Sequence, residues 1–186
     1  MQKVFNKRIL GVFILILFSF SCTSNLDFNQ VNTLKLTPVV VANFATFEVS
    51  ANQFLVNGVE IPFAGEVSNF DVFRDAYFNK SLTEADLFFE FSNTINRAYK
   101  INLYFLDING QPISTITIPF TIPASTTGTP ILVSKTVIFQ NATLSQLKST
   151  QKLGFTITML PGTPLTASSL GSLKLRSSAT VYLTLQ

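Results

Sequence analysis

The sequence contains no histidine and only one cysteine among its 186 residues. Without histidine the chain cannot build a Ser-His-Asp triad, a Cys-His nucleophile pair or a His-ligated zinc or iron site. The glycine-rich motifs Gly-x-x-x-x-Gly-Lys and Gly-x-Gly-x-x-Gly, which hold nucleotide phosphates, are absent too. We therefore expect no catalytic residues, no metal site and no cofactor.

Paired carboxylates would still allow acid-base chemistry of the kind that glycosidases use. Asp71 with Asp75, and Glu84 with Asp86, are such pairs. Ser81 and Glu84, however, have the spacing of a helix capping box, and close acids beside a short helix usually face solvent. We therefore expect that the protein is not an enzyme.

Tryptophan is also absent. Its absence, together with the lack of paired cysteines, excludes the core of a true immunoglobulin domain. It also weakens the case for a carbohydrate site, because such sites favour exposed aromatic rings. The tyrosines that remain for that role are Tyr77, Tyr99, Tyr104 and Tyr182.

No apolar run reaches the roughly 20 residues that a membrane-spanning helix needs. The run from Ile9 to Phe20 is shorter and follows a basic start formed by Lys3, Lys7 and Arg8. A basic start, a short apolar segment and small residues at a cleavage point are typical of a secretory signal peptide.

The residues Ser19-Phe20-Ser21-Cys22 resemble the lipobox of bacterial lipoproteins, in which a small residue precedes a cysteine that is lipidated and becomes the mature N-terminus. Ser19 stands where leucine is usual, which is similar to the leaders of Bacteroidota lipoproteins. The resemblance implies that Cys22 is lipidated. Because Thr23 rather than aspartate follows it, the resemblance also implies the outer membrane as destination. The alternative is an ordinary secretory leader with an incidental cysteine.

The expected organisation is a signal peptide at 1–21, a lipidated tether at 22–32 and one domain at 33–186. Cleavage before Cys22 would leave 165 residues, enough for one domain with a substantial core. Once Cys22 is acylated, no thiol remains for a disulfide, so stability has to come from the burial of apolar surface. Several acyl chains would anchor the protein stably, since each buried CH₂ contributes about 0.8 kcal/mol.

Charge argues against nucleic acid as a partner. Removal of residues 1–21 takes away three of the 13 basic residues and no acid, which leaves ten of each sign. Residues 22–96 then hold nine acids and three bases, whereas residues 97–186 hold seven bases and one acid. We favour two halves that interleave and mix their charges; the alternative is a basic face that meets anionic lipid or an acidic partner.

Alternation of apolar and polar residues is the main structural signal, and it is clearest from Leu173 to Leu185. Together with other β-rich runs it predicts strands at 34–42, 44–50, 59–67, 87–92, 99–105, 113–122, 131–139, 153–160 and 173–185. Two short helices are predicted, at 72–80 and at 144–151, the latter with Thr143 or Asn141 as its N-cap.

Turn chemistry supports this assignment. Asn109-Gly110 lies between two predicted strands and predicts a type I′ hairpin turn. A calcium loop starting at Asp107 is the weaker alternative, because its further acidic ligands are missing. Pro119 and Pro123 predict an edge strand or a bulged strand end, since proline donates no hydrogen bond to a sheet.

The pattern as a whole predicts an all-β protein: a single antiparallel β-sandwich of about eight or nine strands with one or two short helices, or, as second choice, a barrel. It resembles the immunoglobulin-like sandwiches of exported lipoproteins. Most of the phenylalanines should fill the core. Phe88 and Tyr104 are candidates for an exposed apolar patch, unless the 72–80 helix covers it.

We therefore predict a non-catalytic, membrane-anchored lipoprotein of the bacterial cell envelope, an accessory or structural component that binds another envelope protein. The polar loops 123–130 and 161–171 are the expected place for a recognition surface. The alternative is a carbohydrate- or lipid-binding module, and a lipid carrier would need an apolar cavity. The predicted location is the outer membrane, on its periplasmic side or at the cell surface.

Overall fold

A computed structural model describes residues 35–68 and 76–185 of the chain. Cys22, the predicted signal peptide and the predicted tether lie outside the described residues. The strands are β1 Val39–Ser50, β2 Leu55–Val56, β3 Val59–Glu60, β4 Phe63–Ser68, β5 Leu82–Asn93, β6 Tyr99–Leu106, β7 Pro112–Ile122, β8 Ile131–Phe139, β9 Lys152–Met159 and β10 Ser172–Leu183. The helices are α1 Ala76–Ser81 and α2 Asn141–Lys148, and a 3₁₀ helix spans Ala51–Phe54.

Eight of these strands form two four-stranded antiparallel sheets. The first sheet has the order β1-β10-β5-β8 and the second has the order β4-β9-β6-β7, while β2 and β3 form a small separate hairpin. Within the two sheets, only β6 and β7 are neighbours both in sequence and in space; each other connection crosses from one sheet to the other. This is the strand order of a jelly roll. The predicted all-β antiparallel sandwich is confirmed, and its strands are connected as in a jelly roll.

The predicted alternation along β10 is confirmed. Leu173, Leu175, Ala179 and Val181 are each at most 2% exposed and face the interior. Ser177 lies in the same inward row, where a hydroxyl needs partners. It has them: its Oγ donates to the carbonyl oxygen of Ala45 and accepts from the Ala45 N–H, both at 2.8 Å.

The Ala45 contact lies at an irregularity in β1. The pairing of β1 with β10 shifts register between Asn43 and Thr46. The sequence pattern changes phase there, which is why it predicted two strands, 34–42 and 44–50, where the structure has one. The prediction of a single strand at 59–67 is wrong in the opposite sense. The structure has two strands there, β3 and β4, and Pro62 lies between them.

Aromatic rings join the two sheets. The ring of Phe120 in the second sheet lies 4.8 Å from that of Phe91 and 6.3 Å from that of Phe89, both in the first sheet. Phe47 and Phe155 stack across the interior at 4.3 Å. The prediction that phenylalanine fills the core is therefore confirmed for these residues.

The prediction of an apolar patch that contains both Phe88 and Tyr104 is wrong. Phe88 is 37% exposed and faces outward from β5 in the first sheet. Tyr104 faces outward from β6 in the second sheet and shares a 2.8 Å hydrogen bond with Thr156. The two side chains therefore lie on opposite outer faces and share no patch.

The hairpin between β6 and β7 forms where it was predicted, but the turn type is wrong. Gly110 has a φ of 75°, while Asn109 is not among the described residues with positive φ. The Asp107 carboxylate closes the turn instead, since its Oδ1 accepts the N–H groups of Asn109 and Gln111 at 2.8 Å. A type I′ turn is found at Asn57-Gly58, between β2 and β3, where φ is 53° and 77°.

The ends of the helices also differ from prediction. Ser81 is the last residue of α1 and Glu84 lies in β5, so the expected capping box is wrong. Gln140, not Thr143 or Asn141, is the N-cap of α2. Thr143 accepts the Gln140 N–H at 3.1 Å from the third helical position. The prediction that Pro119 marks an edge strand is confirmed, because β7 is at the edge of the second sheet.

The two halves of the chain interleave, as favoured from their charges. Three ion pairs of the described residues each join an acid from 22–96 to a base from 97–186: Arg97 with Glu60, Lys174 with Glu48, and Arg176 with Glu90. The last two form because β10 lies between β1 and β5. Opposite charges of the two halves therefore meet on the outer face of the first sheet and in the largely buried Arg97–Glu60 pair.

Phe88 and Phe89 allow a direct test of the sheet packing. We expect Phe89→Ala to lower the free energy of unfolding by about 3–5 kcal/mol, because it leaves a cavity between the sheets. Phe88→Ala should cost only about 1 kcal/mol, since that ring is partly in solvent. Chemical denaturation measures both, and equal losses would contradict the described orientation of β5.

Candidate functional site

Four connections meet at one end of the sandwich, which we call the cleft end: residues 51–62, 94–98, 123–130 and 160–171. The strand register brings them together. Asn93 at the end of β5 pairs with Ile131 and Leu173 at the starts of β8 and β10. Tyr99 at the start of β6 pairs with Ile122 and Met159, near the ends of β7 and β9.

A cleft of about 570 Å³ opens at this end, between the connections 94–98, 123–130 and 160–171. The two polar loops predicted as a recognition surface therefore line the same cleft. Sequence reasoning missed the wall formed by Thr94–Asn96, because a short connection after a predicted strand carries no distinctive motif. The lining combines hydroxyl-bearing with aliphatic side chains, among them Thr94, Ser125, Thr126, Ile95, Leu165 and Leu170.

Asn93 holds two of these walls together. Its side chain is fully buried, and its Nδ2 donates to the carbonyl oxygens of Arg97 and Pro123, both at 2.8 Å. Its Oδ1 accepts the N–H of Ile95 at 2.9 Å. Buried amides that satisfy several backbone groups fix the local backbone, because leaving those groups unpaired is costly. The connections 94–98 and 123–130 are thereby fixed to each other.

Ser125 strengthens this arrangement from the other side. Its N–H donates to the carbonyl oxygen of Ile95 at 2.9 Å, and its hydroxyl donates to the carbonyl oxygen of Thr129 at 2.6 Å. The Ser125 side chain is 1% exposed. Its hydroxyl is therefore committed to holding the loop.

The third wall depends on a glycine. Gly171 has a φ of 100°, and a Cβ on it would lie 2.6 Å from the carbonyl oxygen of Thr94. Any side chain there would combine backbone strain with a backbone clash. Thr94 also accepts the N–H of Ser172 through its hydroxyl at 2.8 Å. The connection 160–171 thus approaches 94–98 closely enough to complete the cleft.

A largely buried ion pair lies beside these walls. Arg97 is 7% exposed, and its guanidinium contacts Glu60 of β3 at 2.7 Å and the carbonyl oxygen of Thr163 at 2.7 Å. The other carboxylate oxygen of Glu60 accepts the N–H of Leu165 at 2.7 Å. The pair therefore holds the connection 160–171 against β3, and the two charges compensate each other. Neither Glu60 nor Arg97 was singled out by sequence reasoning as a site residue.

Tyr99 lies in the core beside this pair. It is fully buried, its ring is 5.0 Å from that of Phe54, and its hydroxyl has no hydrogen-bond partner. Burial raises the pKa of the Tyr99 hydroxyl, so the group stays protonated. Tyr99 therefore offers no exposed ring to a carbohydrate.

Tyr104 and Tyr182 do not line the cleft, because they face outward from the sheets. The side chain of Tyr77 lies outside the described residues. The Tyr182 hydroxyl donates to Asp86 at 3.1 Å, and this hydrogen bond raises the pKa of Tyr182.

Of the predicted carboxylate pairs, Glu84 and Asp86 do not line the cleft. Glu84 accepts a hydrogen bond from Gln140 at 2.6 Å, and Asp86 bonds Tyr182; both lie toward the other end of β5. Asp71 and Asp75 lie outside the described residues. Within 35–68 and 76–185, no three Asp, Glu, His or Cys side chains are close enough together to hold a metal ion.

In the part of the chain that the structure describes, none of the helices has the length and apolar character needed to cross a membrane. α1 and α2 contain six and eight residues.

Comparison with known proteins yields structural similarity only. No protein family matches the chain, and no curated protein does. A chain of the infectious bursal disease virus VP2 subviral particle is similar over 79% of this chain and 32% of its own length, with 13% identity and a TM-score of 0.40. A chain of desmodium yellow mottle tymovirus is similar over 80% of this chain and 90% of its own length, with 12% identity and a TM-score of 0.31. The enzymatically active domain of bacteriophage CBA120 tailspike protein 4 is similar over 80% of this chain and 19% of its own length, with 10% identity and a TM-score of 0.34.

The chain spans about a third of the length of the VP2 chain that it resembles. The strand order β1-β10-β5-β8 and β4-β9-β6-β7 makes the domain a jelly-roll β-sandwich, and a cleft opens at one of its ends.

Removal of one partner tests the role of the buried ion pair. We expect Glu60→Ala to lower the free energy of unfolding by about 3 kcal/mol, because it leaves the Arg97 guanidinium largely buried without its counter-charge. The matched variant is Glu48→Ala, whose partner Lys174 is about half exposed, and we expect little change. Thermal or chemical unfolding gives both values. An equally small loss for the two variants would show that the Arg97–Glu60 pair does not hold this end together.

Proposed function

We propose that the protein is a non-catalytic lipoprotein, anchored in the bacterial outer membrane through lipidated Cys22, that binds another envelope protein with its cleft end. The domain acts as a tethered binding module. Tethering confines it near membrane-bound partners, so that binding becomes effectively intramolecular.

The observation that carries this proposal is the place where the chain enters the sandwich. Leu36 and Leu185 form a β-bridge, with N–H to oxygen distances of 3.1 and 2.9 Å. Val39 then starts β1 beside Tyr182, whereas Ser50 at the other end of β1 pairs with Ser172. The polypeptide coming from Cys22 therefore enters at the end opposite the cleft, which we call the entry end.

The length of β1 separates the two ends. Its 12 residues span about 40 Å at roughly 3.3 Å per residue. Residues 23–35 can extend at most about 45 Å between Cys22 and the entry end. A domain anchored in this way can direct its cleft away from the bilayer surface, where a partner can reach it.

The chemistry of the cleft supports a binding role without catalysis. None of its lining residues among those described is charged. A serine or threonine nucleophile needs a neighbouring base to activate it. The Ser125 hydroxyl donates to a backbone carbonyl instead.

Fractionation tests the anchor. We expect Cys22→Ser to move the protein from the membrane fraction to the soluble fraction, because the acceptor for the acyl chains is lost. Ser24→Ala, two residues further on, is the control and should leave the protein with the membranes. Membrane retention of Cys22→Ser would contradict lipid anchoring at that residue.

Site-specific photo-crosslinking tests the binding function. A photoreactive residue at Leu170, which is 87% exposed at the cleft, should give an adduct with a second protein in intact membranes. Ile108 is 69% exposed in the β6–β7 turn at the entry end and is the matched control. Recovery of the unlinked protein alone from position 170, or equal adducts from both positions, would overturn protein binding at the cleft end.

A further inference from the structure

We infer that the cleft binds an uncharged, extended peptide segment that carries an aliphatic side chain. This inference rests on the proposed function and specifies the part of the partner protein that enters the cleft.

The first argument is charge. None of the described residues that line the cleft is charged, and the nearby Arg97 guanidinium is already paired with Glu60 at 2.7 Å. A charged group that enters such a cleft loses hydration and finds no counter-charge in return. Phosphate groups, acidic glycans and strongly charged peptides are therefore disfavoured, whereas neutral ligands lose little.

The second argument is the mixture of side chains. Ile95 and Leu165 are buried, and together with Pro164 and Leu170 they give the cleft an aliphatic part that suits an aliphatic side chain. Thr126 and Thr163 are exposed beside them, and their hydroxyls can donate or accept hydrogen bonds. An extended peptide presents both chemistries side by side, because its backbone amides alternate with its side chains.

The third argument distinguishes peptide from sugar and lipid. Sugar sites favour aromatic platforms, and within residues 35–68 and 76–185 the structure places no aromatic side chain in the lining of the cleft. Tyr99 is in the core with its ring against Phe54. A lipid chain would need a deep apolar cavity. The interior between the sheets is occupied instead by rings such as those of Phe91 and Phe120, 4.8 Å apart.

The fourth argument is preorganisation. Asn93 fixes two walls of the cleft through three hydrogen bonds, and Gly171 allows the third wall to approach Thr94. A site whose backbone is already fixed binds a short segment without a large cost for ordering loops. Leu170 remains exposed at the rim, where contact with a partner would remove apolar surface from water.

A peptide array tests the inference directly. The full-length lipidated protein in detergent micelles is applied to acetylated, amidated pentapeptides with Val, Leu or Ile at the centre and Ser, Thr, Asn, Gln or Gly at the other positions. Matched copies carry Asp or Lys at the centre, and an array of neutral oligosaccharides is included. We expect binding of the aliphatic-centred peptides and at least about tenfold weaker binding of the charged copies, since the cleft offers no counter-charge.

Two surface variants locate the binding. Leu170→Asp should weaken peptide binding at least about tenfold, because it places a carboxylate at the rim beside the aliphatic part of the cleft. Ile108→Asp makes the same change at the entry end and should leave peptide binding unchanged. Both residues are exposed, so neither variant removes core packing.

Each other outcome overturns the inference. Equal binding of the charged copies, no binding to any peptide, or peptide binding that Leu170→Asp does not weaken would exclude an uncharged segment in this cleft. Binding of neutral oligosaccharides that Leu170→Asp abolishes would assign the cleft to glycans instead. If position 170 still forms a protein adduct in membranes, any of these results would remove only the assigned ligand class and leave the proposed function standing. Loss of that adduct would remove the proposed function and the ligand class together.

Discussion

The packing of aromatic rings between the two sheets is the interaction on which the rest of this structure depends. The single cysteine at position 22 cannot form a disulfide within the chain, so stability has to come from buried surface. Phe89 and Phe91 of the first sheet meet Phe120 of the second, and Phe47 stacks on Phe155. These rings bury large areas and keep the sheets at a fixed separation. All other features of the domain, including the cleft, are built on the edges and ends of this double layer.

The jelly-roll order explains why polar interactions are needed at the ends. Nearly every connection crosses between the sheets, so four of them crowd together at the cleft end. Their backbone groups cannot all pair within sheets, and buried ones need other partners. Asn93 and the Arg97–Glu60 pair supply those partners by binding the carbonyl oxygens of Arg97, Pro123 and Thr163 and the N–H groups of Ile95 and Leu165. The cleft is thus a product of how the loops satisfy their hydrogen bonds.

The jelly-roll order also places the cleft and the point where the chain enters the sandwich at opposite ends of the domain. β1 runs from the entry end to the cleft end, and its neighbour β10 returns antiparallel beside it. Leu36 and Leu185, which lie close to the two ends of the described residues, therefore meet at the entry end. If the chain is anchored through Cys22, as we propose, the tether joins the domain at the end opposite the proposed binding cleft. That arrangement suits a tethered module that recognises a partner with its far end.

The sequence by itself determined the class of fold, most strands and the edge position of β7, because period-two alternation and proline are local signals that the sheets preserve. It also identified two loops that line the cleft. Only the tertiary structure decided the strand order, the turn at Asp107 and the assembly of the site. Glu60 and Arg97 are 37 residues apart and Thr94 and Gly171 are 77 apart in sequence, so no local pattern could pair them. They meet because antiparallel strands of two packed sheets bring distant connections to the same end.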